Sequence, residues 1–442
     1  LLVTSFDTYA QSSTNTNELD DTGIIKLSPV IARYYDSEKG ISAINLVQQA
    51  LANNGEIAAA RLDIERNRAK LLQAGLRPNP SLSFEQTTER LTGTGDDRET
   101  SITFYLPFEL GGKRRRRMEL AESEIAVAEA EVASRERRLA ADVLAIYVEA
   151  LAALRELQII ENLNNINSQT GQLVEARVKE GDTAPVEMNL LKVQVDRMRV
   201  KQVLIESRLQ SSLMRLKGII GMSPSETLRL RETIDSPLLP KPPNTLETAI
   251  DVAMQTRPEL KLARQNEELA KASLRLAQAQ AIPDIIPFTK YSFDRTVTDL
   301  PSPLIAIPNR SRLLTFGFSI GLPIFNKNQG VKAETVIAIS QAQRRREYLE
   351  ATVRIEVTNA YERYQAVQMA LKIFEEGVIT RSNKNIQSMR TAYQLGGFSL
   401  AELLTEQRQL LDAQREFIEA LTENYRAIVD LQAAMGIAID HQ

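Results

Sequence analysis

The sequence predicts a mainly α-helical protein with a membrane β-barrel portion, and three observations lead there. The chain of 442 residues contains one pattern twice. Each copy holds a proline-free stretch long enough for a helix of about 100 Å at 1.5 Å per residue. Between the helical stretches lie short segments that alternate large apolar residues with small or polar ones, as a strand between lipid and water requires.

The duplication is legible residue by residue. Residues 46–80 and 249–283 align without a gap, so that Ala60-Arg61 matches Ala263-Arg264, Glu65 matches Glu268 and Pro80 matches Pro283. Further on, Leu106-Pro107 matches Leu322-Pro323 and Tyr147 matches Tyr361, and from Gly181 to Gly221 the offset is a steady 215. A fixed internal period of this kind marks repeated structural units. The expected organisation is a signal-peptide remnant at 1–10, an extended segment at 11–42, a first repeat at 43–222, a Pro- and Ser-rich linker at 223–245, a second repeat at 246–436 and a tail at 437–442. Each repeat reads as helix, strand, strand, long helix, turn, returning helix. The first helices cover about 43–76 and 246–281, stopped by Pro78, Pro80 and Pro283. The long helices cover about 113–179 and 330–395, and the returning helices 185–220 and 399–435.

The returning helices carry two apolar rows each, at the 3-4 spacing of coiled-coil seams. In the second copy one row includes Leu400, Leu404, Leu411, Ile418 and Tyr425, and the other Leu403, Leu410, Phe417 and Leu431. In the first copy the rows include Leu191, Met198, Leu209 and Leu216, and Val186, Leu190, Val193, Val200, Leu204 and Met214. Two seams imply two neighbours, as in a wall of helices. The clearest strand runs from Leu313 to Ile324, where Leu314, Phe316, Phe318, Ile320 and Leu322 share the parity expected to face lipid, opposite Thr315, Gly317 and Ser319. Ile102, Phe104, Leu106 and Phe108 repeat the pattern; Ser81 to Glu89 and Asp284 to Phe293 read as strand partners. Four strands cannot close a barrel in lipid, where every edge must be paired. Three chains would supply twelve.

Composition excludes most chemistry. The chain has no Cys, no Trp, one His (His441) and a formal net charge of −3. Disulfides, thiolate metal sites and Cys nucleophiles are therefore absent. The sequence shows no Ser/His/Asp set, Gly-rich phosphate loop or metal-ligand cluster, so no enzyme activity, cofactor or metal site is expected. Near-neutral charge argues against nucleic acid. No segment carries 18 consecutive apolar residues, so no transmembrane helix is expected.

On these residues the chain resembles the outer-membrane efflux protein family, the TolC-like channels. The resemblance spans about 43–436 and rests on the duplicated order, the segment LPFELGGKRRRR (106–117), its counterpart LPIFNKNQG (322–330) and the turn YQLGGFSLAELLTEQRQLLDAQ (393–414). The form PFELGGKR is most similar to the heavy-metal and cation branch of the family, the CzcC- and CusC-like channels, although multidrug members carry similar segments. Many members of that branch begin with an acylated Cys; no Cys is present here.

The resemblance implies a homotrimer in the outer membrane of a Gram-negative-type bacterium. Its 12-stranded β-barrel would lie in outer-membrane lipid, and a long helical barrel would reach through the periplasm. It further implies a periplasmic adaptor that joins the trimer to an inner-membrane pump of RND or ABC type. The expected function is a passive exit duct of a tripartite efflux system; the alternatives are a duct for type I protein secretion and a periplasmic coiled-coil scaffold. The turns around 177–188 and 392–403 lie at the far end from the membrane. By resemblance they form the gate and adaptor contact, with Gly181, Asp182, Thr183, Glu187, Gly396, Gly397, Ser399, Glu402 and Thr405 as the residues concerned. Gly181 and Gly396-Gly397 would take the positive φ that ends a helix, and Thr183 or Ala184 and Ser399 would cap the next one. The family has two acidic positions after the second turn. Glu402 matches the first and Thr405 stands at the second, so a weakened acidic ring is expected, with at least one raised carboxyl pKa where three copies converge. Arg390 and Arg408 are the nearby charges expected to compensate it.

Three further expectations follow from sequence position. The basic run KRRRR (113–117) should meet lipid phosphates or water. Residues 294–312 should form an external loop around LPSPLIAIP. The methionines, including Met198, Met214 and Met435, should be packing residues rather than metal ligands.

Overall fold

In the computed structural model, the described residues are 28–88, 97–236, 239–298 and 307–437. The segments 1–27 and 438–442, covering the expected signal-peptide remnant and nearly all of the tail, fall outside them. The element order in the first half is α1 (Ala43–Asn53), α2 (Gly55–Ala74), β1 (Ser81–Thr88), β2 (Arg98–Tyr105), α3 (Lys113–Glu180) and α4 (Pro185–Ile220). The second half follows with α5 (Leu246–Thr256), α6 (Pro258–Gln280), β3 (Ile285–Thr298), β4 (Ile307–Ile320), α7 (Gln329–Ile373), a π-helical turn (Phe374–Ile379), α8 (Thr380–Gln394) and α9 (Leu400–Met435).

Two expected helices are each broken once. The first breaks at Asn54, whose backbone is extended and whose side chain accepts from the amides of Glu56 and Ile57, so it caps a new helix. Its counterpart breaks at Arg257, ahead of Pro258 at the first position of α6, where a missing N–H costs nothing. The second long helix is broken as well, by the π turn at 374–379, whereas α3 runs 68 residues without interruption.

The four strands form one antiparallel sheet in the order β1-β2-β3-β4. Strands β3 and β4 pair from Ile285↔Ile320 to Thr298↔Ile307. This corrects the expected loop at 294–312: Asn309 lies in β4, paired with Thr296, and only 299–306 remains between the strands, outside the described residues. The strand also ends at Ile320, so Leu322, expected in the lipid-facing row, lies beyond it.

Helix α3 is the spine, packed against α1, α2, α4, α6 and α9. Around its middle, Tyr147, Leu151, Leu154 and Leu157 are buried with Leu46 of α1, Leu209 and Leu216 of α4, and Leu230 and Ile234. Those last two belong to 223–245, expected to be a linker. Leu230 instead bridges Tyr35 and Ile41, and the Glu232 carboxylate accepts from the Tyr147 hydroxyl. The Pro and Ser content hid three buried anchors in this stretch, Leu228, Leu230 and Ile234.

A buried polar knot fastens the two halves. The Arg137 guanidinium pairs with Glu259 and donates to the Ala433 carbonyl at 3.0 Å, while Ser134 Oγ donates to Glu259 at 3.0 Å. Arg257 bonds both Glu259 (3.2 Å) and Glu356 (2.5 Å). Burial works to raise the Glu259 pKa, but the hydrogen bond and charge of Arg137 outweigh it, and the carboxyl sits below its ordinary range.

Candidate functional site: a two-faced sheet and paired helical tips

The sheet has one apolar and one polar face, set by the period of two and the antiparallel register. Across the strands Phe84 stands opposite Ile102, Ile102 opposite Tyr291, and Tyr291 opposite Leu314. Leu82, Phe104, Phe316 and Phe318 lie on that same side. Phe316 is 73% exposed and Phe318 69%, an apolar exposure that would be costly against water over so large an area. The opposite side carries Ser83, Ser101, Thr103, Ser292 and Thr315, with Lys290 bonded to Glu99 at 2.9 Å. Gly317 is on this polar side for a steric reason: the Phe288 ring lies across it, and a Cβ there would come within 2.5 Å of the ring. Phe288 in turn packs on Tyr105, with centroids 5.9 Å apart, so the polar face has an aromatic band at its helical end.

Both edges of the sheet, β1 and β4, have no strand neighbour among the described residues of this chain. No described helix is long and apolar enough to cross a membrane. The sheet thus carries a broad apolar outer surface, and its edges need partners.

At the opposite end of the long helices the two tips are built alike. In the first, Gly181 takes φ +84, its N–H donates to the Val178 carbonyl, and Asp182 N–H donates to Arg177. In the second, Gly396 takes φ +80, its N–H donates to Tyr393, and Gly397 N–H donates to Ala392. Both are Schellman endings. Gly397, expected to share the positive φ, does not; it supplies the outer N–H of the motif.

The helix starts after the two turns differ. Ser399 caps α9 in a complete capping box: its hydroxyl accepts from the Glu402 amide at 3.3 Å, and the Glu402 carboxylate accepts from both the Ser399 amide and hydroxyl at 2.8 Å. These hydrogen bonds, the backbone one first, hold the Glu402 carboxyl below the ordinary range. Within the protomer this runs opposite to the raised value expected from a converging ring. Thr405 returns its hydroxyl to the Ala401 carbonyl at 2.8 Å. Of the two candidate cap positions before α4, the structure uses Ala184, with no side-chain cap, and not Thr183; Glu187 lies in the first turn.

The structure adds a contact that the sequence did not signal. Arg177, at the end of α3, reaches the second tip and donates to the carbonyls of Gln394 (2.8 Å) and Tyr393 (3.4 Å), with its guanidinium 5.2 Å from the Tyr393 ring centre. Arg390 makes a second link, to Gln169 at 3.1 Å, so it is not free to compensate Glu402. Burial raises the Tyr393 pKa, and the charge of Glu187 adds to it. Beneath these links Val174, Leu191, Tyr393, Leu400, Leu403 and Leu404 form a small apolar core shared by the tips. Arg177 looks in sequence like an ordinary basic residue in a last helical turn; its partners lie more than 200 positions away.

The basic run also differs from expectation. Lys113 pairs with Asp284 (2.8 Å), Arg115 and Arg116 with Glu119 (3.0 and 2.7 Å), and Arg117 with Glu109. Arg114 and Arg117 donate to the carbonyls of Gly75 and Leu76, which the end of α2 leaves unpaired. The run is a clamp between α3 and α2, not a set of uncommitted cations. Met198 and Met435 are buried, as expected for packing residues, while Met214 is exposed.

Known proteins share this architecture. The cobalt-zinc-cadmium resistance protein CzcC of Cupriavidus metallidurans is 22% identical over 393 residues, covering 88% of each chain. The pyoverdine export outer membrane protein OpmQ of Pseudomonas aeruginosa is 23% identical, covering 89% of this chain and 84% of its own. Among solved structures, CusC superposes with a TM-score of 0.73 at 20% identity, covering 90% of this chain and 92% of CusC. The open state of the Neisseria gonorrhoeae MtrE outer membrane channel gives 0.70 at 16% identity over the full length of both chains. A model of the outer membrane efflux protein family matches residues 46–222 and 249–437, and the chain belongs to that family.

Proposed function

We propose that this chain is one protomer of a homotrimeric exit duct of a tripartite efflux system. The observation that carries this reading is the two-faced sheet with both edges open, mounted on helices about 100 Å long. Three copies joined edge to edge give a barrel of twelve strands, apolar outside and polar inside. The same three-fold arrangement gives a use to the exposed apolar row of α4, namely Val186, Leu190, Val193, Val200 and Leu204, and to Tyr348, Ile355 and Met369 on α7. These would meet across protomer boundaries. The tips at 177–188 and 392–403 then form the periplasmic entrance and the contact for an adaptor, which couples the duct to an inner-membrane pump of RND or ABC type. Cargo would move passively, as small ions or molecules; the names of CzcC, a cobalt-zinc-cadmium resistance protein, and OpmQ, a pyoverdine export protein, point to metal cations or a small exported molecule as cargo classes. The test is native mass measurement on protein extracted from outer membranes, followed by planar-bilayer conductance. A heat-sensitive trimer that forms pores is expected; a monomer that stays soluble without detergent would overturn the reading.

A further inference from the structure

The apolar face of the sheet changes character along its strands. Towards the helices, Leu82, Phe104 and Phe316 stand in one register row, and Phe84, Ile102 and Leu314 in the next. One step further out, Phe293 faces Arg312. At the ends of the strands away from the helices, Arg98 faces Arg295 and Arg295 faces Arg310. Arg98, Arg310 and Arg312 are exposed, and Arg295 is half-buried between them. These arginines lie on three adjacent strands, within a width of about 10 Å. Among the described strand residues of this parity none is acidic. Glu85, Glu99 and Asp294 have the opposite parity, where their charges act on Lys290.

Like charges directly opposite across a strand pair are destabilising, so this row calls for an anion. Arg295 is engaged within the chain, whereas no ion pair joins Arg98, Arg310 or Arg312 to a described residue. The basic run at the helical end of the sheet is the reverse case, since Lys113, Arg116 and Arg117 are paired internally. Height points the same way. From Ile320 to Arg312 the strand β4 rises about 27 Å, or about 20 Å across a membrane at the usual tilt, and the apolar band of an outer-membrane barrel is about 25 Å tall. Arg312 and Arg310 therefore fall at the rim of that band, where lipid headgroups begin. All four residues are arginine rather than lysine, and the planar fork of a guanidinium matches two oxygens of one phosphate.

We propose that Arg98, Arg310 and Arg312, with Arg295 between them, form a seat for the phosphate groups of the glycolipid in the outer leaflet. The seat rests on the duct reading, which puts this rim of the sheet at the cell surface. Each phosphate taken up relieves the repulsion between neighbouring guanidiniums. The acyl chains of the same lipid lie below, against Leu314 and Phe316, so one molecule is held by charge at its head and by apolar contact along its tails. A trimer carries three such seats, one on each protomer.

The test is titration of purified trimers in detergent with bisphosphorylated lipid A and with the same lipid stripped of its phosphates, counting bound lipid by native mass measurement. The phosphorylated lipid should bind about tenfold more tightly. The triple variant Arg98→Gln, Arg310→Gln, Arg312→Gln should bind the two lipids alike, and the corresponding triple Lys variant should keep only part of the preference. Equal binding of both lipids by the unaltered trimer, or an undiminished preference in the Gln variant, would overturn the seat. Inorganic phosphate in large excess should leave the lipid bound; its displacement would mean that a free anion, not a lipid surface, is the ligand, and would overturn the seat as well. If the Gln variant does not assemble, the comparison of the two lipids on the unaltered trimer decides alone. Failure of the duct reading would appear separately, as an absence of trimers or pores, whereas failure of the seat leaves trimers that conduct.

Discussion

Helices α4 and α9 are the same element of the repeat, each 36 residues long, and they end up in different surroundings. Helix α9 uses both of its apolar rows: Leu404, Leu411 and Ile418 are buried on one, Leu403, Leu410 and Leu431 on the other, against α3 and α7. Helix α4 uses one. Leu191, Met198, Leu209 and Leu216 are buried on α3, while Val193, Val200 and Leu204 of the other row stand exposed. A repeated sequence pattern therefore does not mean a repeated position. One copy closes the interior of the protomer, and the other leaves a seam at its edge, where a neighbouring chain would fit. The long helices divide in the same way, since α3 is buried along most of its length and α7 exposes Tyr348, Ile355 and Met369.

The largest effect expected from this contrast is at the knot that pins the end of α9. Glu259→Ala strands the buried charge of Arg137, leaves Arg257 with Glu356 alone, and should cost about 3–5 kcal/mol of protomer stability, read by thermal or denaturant unfolding. No loss would show that the α9 side is held by apolar packing alone. Next, Leu209→Ala on the filled row of α4 should cost about 2–5 kcal/mol in the same assay. Leu204→Ala on the open row should leave protomer unfolding nearly unchanged and weaken the trimer, seen as a lower dissociation temperature. If Leu204→Ala destabilises the isolated protomer as much as Leu209→Ala, the open seam is not an interface.

The sheet gives a comparison of faces rather than helices. Phe318→Arg should cost about 2–4 kcal/mol if the side chain meets mid-bilayer lipid, and Ser319→Arg much less. Equal loss of trimer from the membrane for both variants would sink the two-faced assignment. The tips offer a smaller contrast. Ser399→Ala removes a working cap and should cost about 1 kcal/mol, whereas Thr183→Ala removes none and should be silent. The smallest effect concerns pH. The Glu402 carboxyl is depressed in the folded protein, so its contribution is present above the unfolded pKa and is lost as pH falls through the folded one. The first turn of α9 should therefore fray in acid, with faster amide exchange at 400–403, and Glu402→Gln should abolish that pH dependence.

The sequence by itself determined the parts of this protein that depend on local period and chain order. The duplication, the helix ends at Gly181, Ile220 and Met435, and the apolar parity of Leu314, Phe316 and Phe318 were all readable, because side-chain spacing and glycine and proline chemistry act over a few residues. The breaks at Asn54 and Arg257 had local signals too, an Asn cap and a Pro, but a strong helical period masked them. Tertiary structure alone decided which seam is filled and which stays open, since α4 and α9 carry equivalent patterns and differ only in what packs beside them. It alone placed Arg177 on Tyr393, paired Lys113 with Asp284, and drew Leu230 of a linker-like stretch into the core. Those contacts join residues far apart in the chain, and no local spacing records which distant group will arrive to neutralise a charge or cover an apolar side chain.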